Sequence, residues 1–129
     1  MIDRIVLRTA EPQDFYFCQQ LYFKCVSWMI EALSLDVVRQ QEAFAKQWIA
    51  TEVRVITLAG KDIGCLQTRS ANDTIFLAQL HLDDHFRRQG IGSYALRILM
   101  REAGRKQMAI TLAVVKINPA RRLYERLVS

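Results

Sequence analysis

Apolar and polar residues alternate along "DRIVLRTA" (3–10), and the β-branched side chains there predict a first strand. The period lengthens in "EPQDFYFCQQLYFKCVSWM" (11–29). There Phe15, Cys18, Leu21 or Tyr22, Cys25 and Met29 recur at helical spacing, and Pro12 suits a helix start. A second helix is expected with Ser34 as its cap and Asp36 in its first turn. Its apolar stripe is Leu35, Val38, Ala45, Trp48 and Ile49. "EVRVITL" (52–58) and "KDIGCLQTRS" (61–70) then alternate around Ala59-Gly60-Lys61-Asp62, a hairpin turn region. A second turn near Ala71-Asn72-Asp73 leads into the strand "TIFLAQLHL" (74–82).

The pattern turns helical again in "GSYALRILMREAGRKQ" (92–107). Ala95, Leu96, Leu99 and Ala103 face inward, and Arg97, Arg101 and Arg105 line the outside. "MAITLAVV" (108–115) is continuously apolar, as a buried strand is. Asn118 then caps a last helix, with Pro119 at its first position. The order is β-α-α-β-β-β-α-β-α, a three-strand meander followed by a βαβ unit. That is an α/β (α+β) fold with a mixed central sheet. No repeat, low-complexity segment or linker interrupts it, so residues 1–129 read as one domain.

Composition fits this picture: 51% of the residues are hydrophobic and 24% charged, the balance of a globular protein. "MIDRIVLRTAEPQD" lacks the apolar run of a signal peptide, and no apolar stretch approaches the roughly 20 residues that span a bilayer. The expectation is a cytoplasmic protein with no membrane partner. Cys18, Cys25 and Cys65 are odd in number and form no C-x-x-C pair, so they read as core thiols. The net charge of +5 gathers in the second half, where Glu102 and Glu125 face a large excess of Lys and Arg after His85. Such a basic half attracts anions: nucleic acid, an acidic partner or a polyphosphate cofactor.

The segment "LHLDDHFRRQGIGS" (80–93) carries the candidate chemistry. His81, Asp83, Asp84 and His85 have the chemistry of metal ligands, but Asp84 and His85 straddle a turn and no helix presents the set. Only His81 and Asp83 share a strand face, and no helical His pair exists, so no metal is expected. Arg87-Arg88-Gln89-Gly90-Ile91-Gly92 sits where a strand feeds a helix. Backbone N–H groups, a helix dipole, close-approach glycines and arginines there suit a pyrophosphate. The loop is neither a Walker motif nor G-x-G-x-x-G, since Ala95 stands three residues after Gly92. On these residues alone an ordinary strand-to-helix turn remains open.

"HLDDHFRRQGIGSYALRILMREA", followed by "LAVVKINPARRLYERL", resembles the GNAT N-acetyltransferase superfamily. Arg87, Gly90 and Gly92 match its R/Q-x-x-G-x-G/A signature, and Asn118 with Leu123 to Leu127 matches its second motif. The resemblance is specific over 75–127 and looser upstream. It implies acetyl-CoA as cosubstrate, with Arg87, Arg88, Gln89, Gly90, Gly92 and Ser93 cradling the pyrophosphate. Backbone groups around Leu80 and Leu82, alternating with Gln79 and His81, would pair with the pantetheine arm. Asn118 has two readings, helix cap and pantetheine contact. Arg121, Arg122 and Arg126 are open between the cofactor's 3′-phosphate and a solvated helix face. Tyr124 is the implied acid that protonates the departing thiolate. His81, with an ordinary pKa of about 6.5, is the candidate base, directly or through a water oriented by Gln79.

The implied activity is N-acetyl transfer from acetyl-CoA to a primary amine, by direct attack in a ternary complex. The acceptor is an amine-bearing small molecule or protein. The alternative is a catalytically inactive CoA-binding or sensor module. Nucleic-acid binding ranks last, because no recognition helix or RNA-binding signature accompanies the basic half. One departure stands out: "YERLVS" stops where the family continues with Gly-Phe and two further strands. The expectation is a sheet lacking those last two strands: either the chain is shortened relative to its relatives, or another chain covers the open edge, a homodimer being the hypothesis.

Overall fold

A computed structural model describes residues 4–112 of the chain. Residues 113–115 of the expected last strand lie outside the described residues, as does the expected final helix with Asn118 and Tyr124. So does the end of the chain on which the dimer expectation rests.

Among the described residues five strands form one sheet in sequence order: β1 (Ile5–Thr9), β2 (Val53–Leu58), β3 (Lys61–Ala71), β4 (Thr74–Leu82) and β5 (Ala109–Leu112). The first four pair antiparallel, and β5 lies parallel to β4. Helices α1 (Phe15–Ala32) and α2 (Val37–Gln47) connect β1 to β2, and α3 (Ile91–Arg105) makes the crossover that a parallel pair requires. The expected mixed α/β order holds through β5. Among the described residues no helix is long and apolar enough to cross a membrane.

Local chemistry fixes the connections. Ala59 and Gly60 have φ of 51° and 85°, as a two-residue type I′ hairpin demands. Lys61 and Asp62, expected in the turn, therefore begin β3. The first helix begins at Phe15 rather than at Pro12, because Pro12–Asp14 form a 3-10 turn ahead of it. The Asp14 carboxylate holds that entry, accepting from the Glu11 N–H at 2.8 Å and from the Arg8 guanidinium at 2.9 Å.

Two expectations about α2 are corrected. Ser34 leaves α1 in a left-handed conformation (φ 51°) and does not cap the next helix. Asp36 does, its Oδ1 accepting from the N–H groups of Val38 (2.9 Å) and Arg39 (3.3 Å). Nor do Val38, Ala45 and Ile49 face the core: all three are exposed, and Phe44 is buried instead. The aromatic rings decide this register. Phe44 packs on Phe15 and Tyr22, with centroids 5.7 and 4.9 Å apart, and ring packing of that kind outweighs burial of smaller side chains.

Helices cover both faces of the sheet. Against α3 lie Ile5, Ile56, Ile63, Leu66 and Leu77, meeting Ile91, Ala95, Leu96 and Leu99 as the helix pattern requires. Against α1 and α2 lie Val53, Val55 and Cys65, meeting Cys18, Leu21 and Phe44. Arg54 on β2 reaches Glu102 on α3 through two bonds of 2.6 and 2.7 Å, tying sheet to helix at the edge of the core.

Two bulges interrupt the pairing. Ile56 faces Gly64 while Thr57 faces Asp62, so Ile63 is the extra residue of β3. Thr68 faces Leu77 while Gln67 faces Gln79, so Ala78 is the extra residue of β4. Gly64 lies against the end of β4: a Cβ there would stand 2.6 Å from the His81 carbonyl oxygen and 2.7 Å from a Leu82 methyl. Because the first of these atoms is backbone, Gly64→Ala is expected to force the strands apart. The expected loss is about 1–3 kcal/mol of stability, read from urea unfolding midpoints. An unchanged midpoint would contradict the close approach.

Candidate active site

The bulge at Ala78 sorts the end of β4 onto two faces. Leu80 and Leu82 join Leu77 on the side of α3, while Gln79 and His81 turn toward α1 and α2. The alternation expected of these four residues is present. Beyond Leu77, any pairing of β4 with the last strand involves residues outside those described, since Leu77 faces Leu112.

His81 sits in an enclosed setting. Its Nε2 meets the Gln79 Oε1 at 2.6 Å, and Tyr22 of α1 meets the ring edge-on, with centroids 5.3 Å apart. Together with Cys18, Trp48, Cys65 and Gln67, His81 and Gln79 line a cavity of about 10 Å³, the space of one water. Burial penalises the imidazolium, and the positive charge of Arg87 adds to that penalty. The His81 pKa is pushed down to about 4, leaving the ring neutral at pH 7.

The remaining polar residues of this segment build the loop itself. Asp83 Oδ1 accepts from the His85 backbone N–H at 3.1 Å and lies 3.0 Å from His85 Nδ1. His85 is exposed on the surface, away from His81. The Arg87 guanidinium is engaged on three sides: Nε donates to the Leu82 carbonyl (3.3 Å), Nη2 to Cys25 Sγ (2.9 Å), and Nη1 pairs with Asp84 (3.0 Å). Burial pushes the Cys25 thiol up against the pull of Arg87, so Cys25 is a thiol that packs and bonds rather than a nucleophile. Gln89 donates to the His85 carbonyl at 2.9 Å. Arg88, at φ 62°, is exposed.

Gly90 then turns the chain into α3 with φ 81°, a left-handed position that glycine adopts without penalty. The first intrahelical bond runs from the Tyr94 N–H to the Gly90 carbonyl at 3.0 Å. The N–H groups of Ile91, Gly92 and Ser93 precede it, and no side chain caps them among the described residues. Three backbone donors without a partner among the described residues stand at the positive end of a 15-residue helix, a polarity that suits an anion.

Helix α1 adds features that spacing along β4 does not reveal. Tyr22 packs on His81, and Cys25 holds Arg87. Gln20, Phe23, Lys24 and Ser27 line an open groove of about 710 Å³ against Asp83–His85. The aromatic, helical pattern of α1 signalled core; which of its residues meet β4 depends on how the helix crosses the sheet.

The chain belongs to the acetyltransferase (GNAT) family, whose sequence pattern matches residues 15–128. Acetyl transfer is therefore its class of chemistry. Solved structures agree in fold. An N-acetyltransferase from Staphylococcus aureus Mu50 is similar at a TM-score of 0.71, with 14% identity, over 95% of this chain and 89% of that one. The PaiA N-acetyltransferase from Thermoplasma acidophilum, in complex with coenzyme A, gives 0.64 and 14% over 95% and 86%. N-acetylglutamate synthase from Neisseria gonorrhoeae, complexed with coenzyme A and N-acetyl-glutamate, gives 0.65 and 17% over 95% of this chain and 27% of that one. No curated protein sequence matches the chain.

The setting of His81 makes stability depend on pH in a defined window. The folded chain keeps His81 neutral down to about pH 4, while the unfolded chain binds that proton near pH 6.5. Between those values the unfolded state holds more protons, so stability falls as pH falls, by up to about 3 kcal/mol. Asp14 and Glu102, held below the usual carboxylate range by hydrogen bonds from Arg8 and Arg54, withdraw their contributions as pH falls below about 4. Urea unfolding from pH 7 to 4 should thus show a decline that His81→Gln flattens. A parallel decline in the variant would place its origin elsewhere.

Proposed function

We propose that the chain moves the acetyl group of acetyl-CoA to a primary amine by direct attack in a ternary complex. The observation that carries this reading is the uncapped start of α3, where Ile91, Gly92 and Ser93 present free N–H groups behind the left-handed Gly90. Their number and polarity fit a pyrophosphate. Bound there, acetyl-CoA would supply the acetyl group as a thioester. The coenzyme A complexes of the Thermoplasma acidophilum and Neisseria gonorrhoeae proteins support the same reading.

In this reading the loop from Arg87 to Ser93 holds the pyrophosphate chiefly through its backbone. Arg88 adds an exposed positive charge, and the Arg87 side chain braces the loop through Leu82, Cys25 and Asp84. Backbone groups of Leu80 and Leu82 serve the pantetheine arm, with Asn118 beyond the described residues as a further contact. His81, neutral at pH 7, takes the proton of the acceptor ammonium. Tyr124, assigned through the family motif, returns a proton to the departing sulfur. No metal is needed by any of these steps.

Thermal denaturation with acetyl-CoA tests the seat, and thiol release tests transfer. The amine panel is an alkylamine, an amino acid, an aminoglycoside and a lysine-containing peptide. A hundredfold excess over Kd should add about 2.7 kcal/mol of stability. Gly90→Val, which forces a β-branched residue into the left-handed exit, should weaken acetyl-CoA at least about tenfold. Tyr124→Phe should lower kcat about a hundredfold with acetyl-CoA affinity unchanged. No stabilisation by acetyl-CoA would sink the reading. Stabilisation without thiol release across the panel would leave a CoA-binding module.

A further inference from the structure

The bond between Gln79 and His81 has a chemical consequence for the base. An amide oxygen only accepts, so the 2.6 Å contact is a hydrogen bond only when Nε2 carries the ring proton. That tautomer is Nε2–H, with the lone pair on Nδ1. Two further features fix the ring's orientation. Gln79 follows directly on the Ala78 bulge and faces Gln67 across the ladder, so its side chain leaves the strand on the same face as His81. Tyr22 stands edge-on to the imidazole at 83°, so rotating the ring would displace the α1 aromatic cluster.

We propose that Gln79 is a positioning residue of the transfer reaction: it holds His81 so that Nδ1 is the nitrogen that receives the acceptor's proton. The proposal rests on the acetyl-transfer reading above. The step balances simply, since one proton leaves the ammonium nitrogen, Nδ1 gains it, and the imidazolium forms while Nε2–H stays on Gln79. A free imidazole divides its proton between both nitrogens, and the wrong tautomer offers an N–H where a lone pair is needed. Among the described residues, the titratable groups around the ring are Tyr22 and Cys18 on α1 and Cys65 on β3. The charged one is Arg87 in the loop, and Phe44 of α2 and Trp48 just after it add no titratable group.

With only His81 and His85 in the chain, nitrogen NMR of the full-length protein resolves the imidazoles directly, and exposed His85 serves as the internal reference. The wild type should show His81 as a single Nε2–H tautomer. Gln79→Leu should give a tautomer mixture and lower kcat roughly tenfold to a hundredfold, with acetyl-CoA affinity unchanged. The assay amine is the panel member with the fastest thiol release. Gln79→Glu keeps an acceptor on Nε2 and adds negative charge. It should retain the tautomer, recover most of the rate and raise the His81 midpoint by about one unit or more. Because the base must be neutral, the acid limb of the rate profile should move to higher pH with it. A single Nε2–H tautomer in Gln79→Leu, an unmoved midpoint in Gln79→Glu, or wild-type kcat in both variants would overturn the proposal. Acetyl-CoA stabilisation separates the failures: if it persists, the Gln79 role alone falls, and if the wild type shows none, the transfer reading falls with it.

Discussion

Ala78 occupies a place in β4 for which β3 has no counterpart, and the side chains after it change faces. Without that extra residue Leu77, Gln79 and His81 would share one side of the sheet, as period-2 geometry dictates. An amide and an imidazole would then enter the aliphatic packing under α3, where nothing among Ile56, Ile63, Leu96 and Leu99 could hydrogen-bond them. The bulge sends Leu80 and Leu82 there instead. Gln79 and His81 pass to the face where Tyr22, Cys65 and Trp48 already provide a less purely aliphatic surround. The location of the candidate base follows from a count of residues in one strand.

Gly64 supports the same arrangement from the neighbouring strand. It lets β3 lie against the His81 carbonyl and the Leu82 side chain, at a separation no Cβ would allow. On the same strand the Ile63 carbonyl accepts from the Asp83 N–H at 2.8 Å, and from the following loop Arg87 holds the Leu82 carbonyl. The last residues of β4 are thus fixed by β3 and by the loop that leads into α3. These contacts fix the backbone from which His81 projects toward Tyr22, Cys65 and Trp48.

Much of this was legible from the residues. Tight turns were announced by Ala59-Gly60 and Asn72, and the inward face of α3 by Ala95, Leu96, Leu99 and Ala103, because local sterics and 3.6 periodicity act over a few residues. The cap of α2 was misplaced by two residues because Ser34 and Asp36 both carry capping oxygens, and only the backbone decides which one sits in extended geometry. The stripe of α2 was misread because Phe44 takes its place from rings on another helix. Neither bulge was visible, since an extra strand residue leaves no mark on the alternation until its partner strand is known. For the site, the glycine-arginine loop and His81 could be found by pattern. That Arg87 spends its donors on Leu82, Cys25 and Asp84, and that Gln79 meets His81, required the fold.

The three-way hold on Arg87 bears on how an anion would arrive. Arginine carries much rotamer entropy, and in a free loop it would be ordered only at the moment of binding. Here Arg87 is already held by Leu82, Cys25 and Asp84, and the Gln89 contact to His85 adds to the hold. The donors at the start of α3 stand on a frame already set. For the proposed acetyl-CoA site, association would then be governed by diffusion, charge steering from Arg88 and the shedding of water, with little loop rearrangement in the path. Preorganisation of this kind speaks to the speed of capture as much as to its strength.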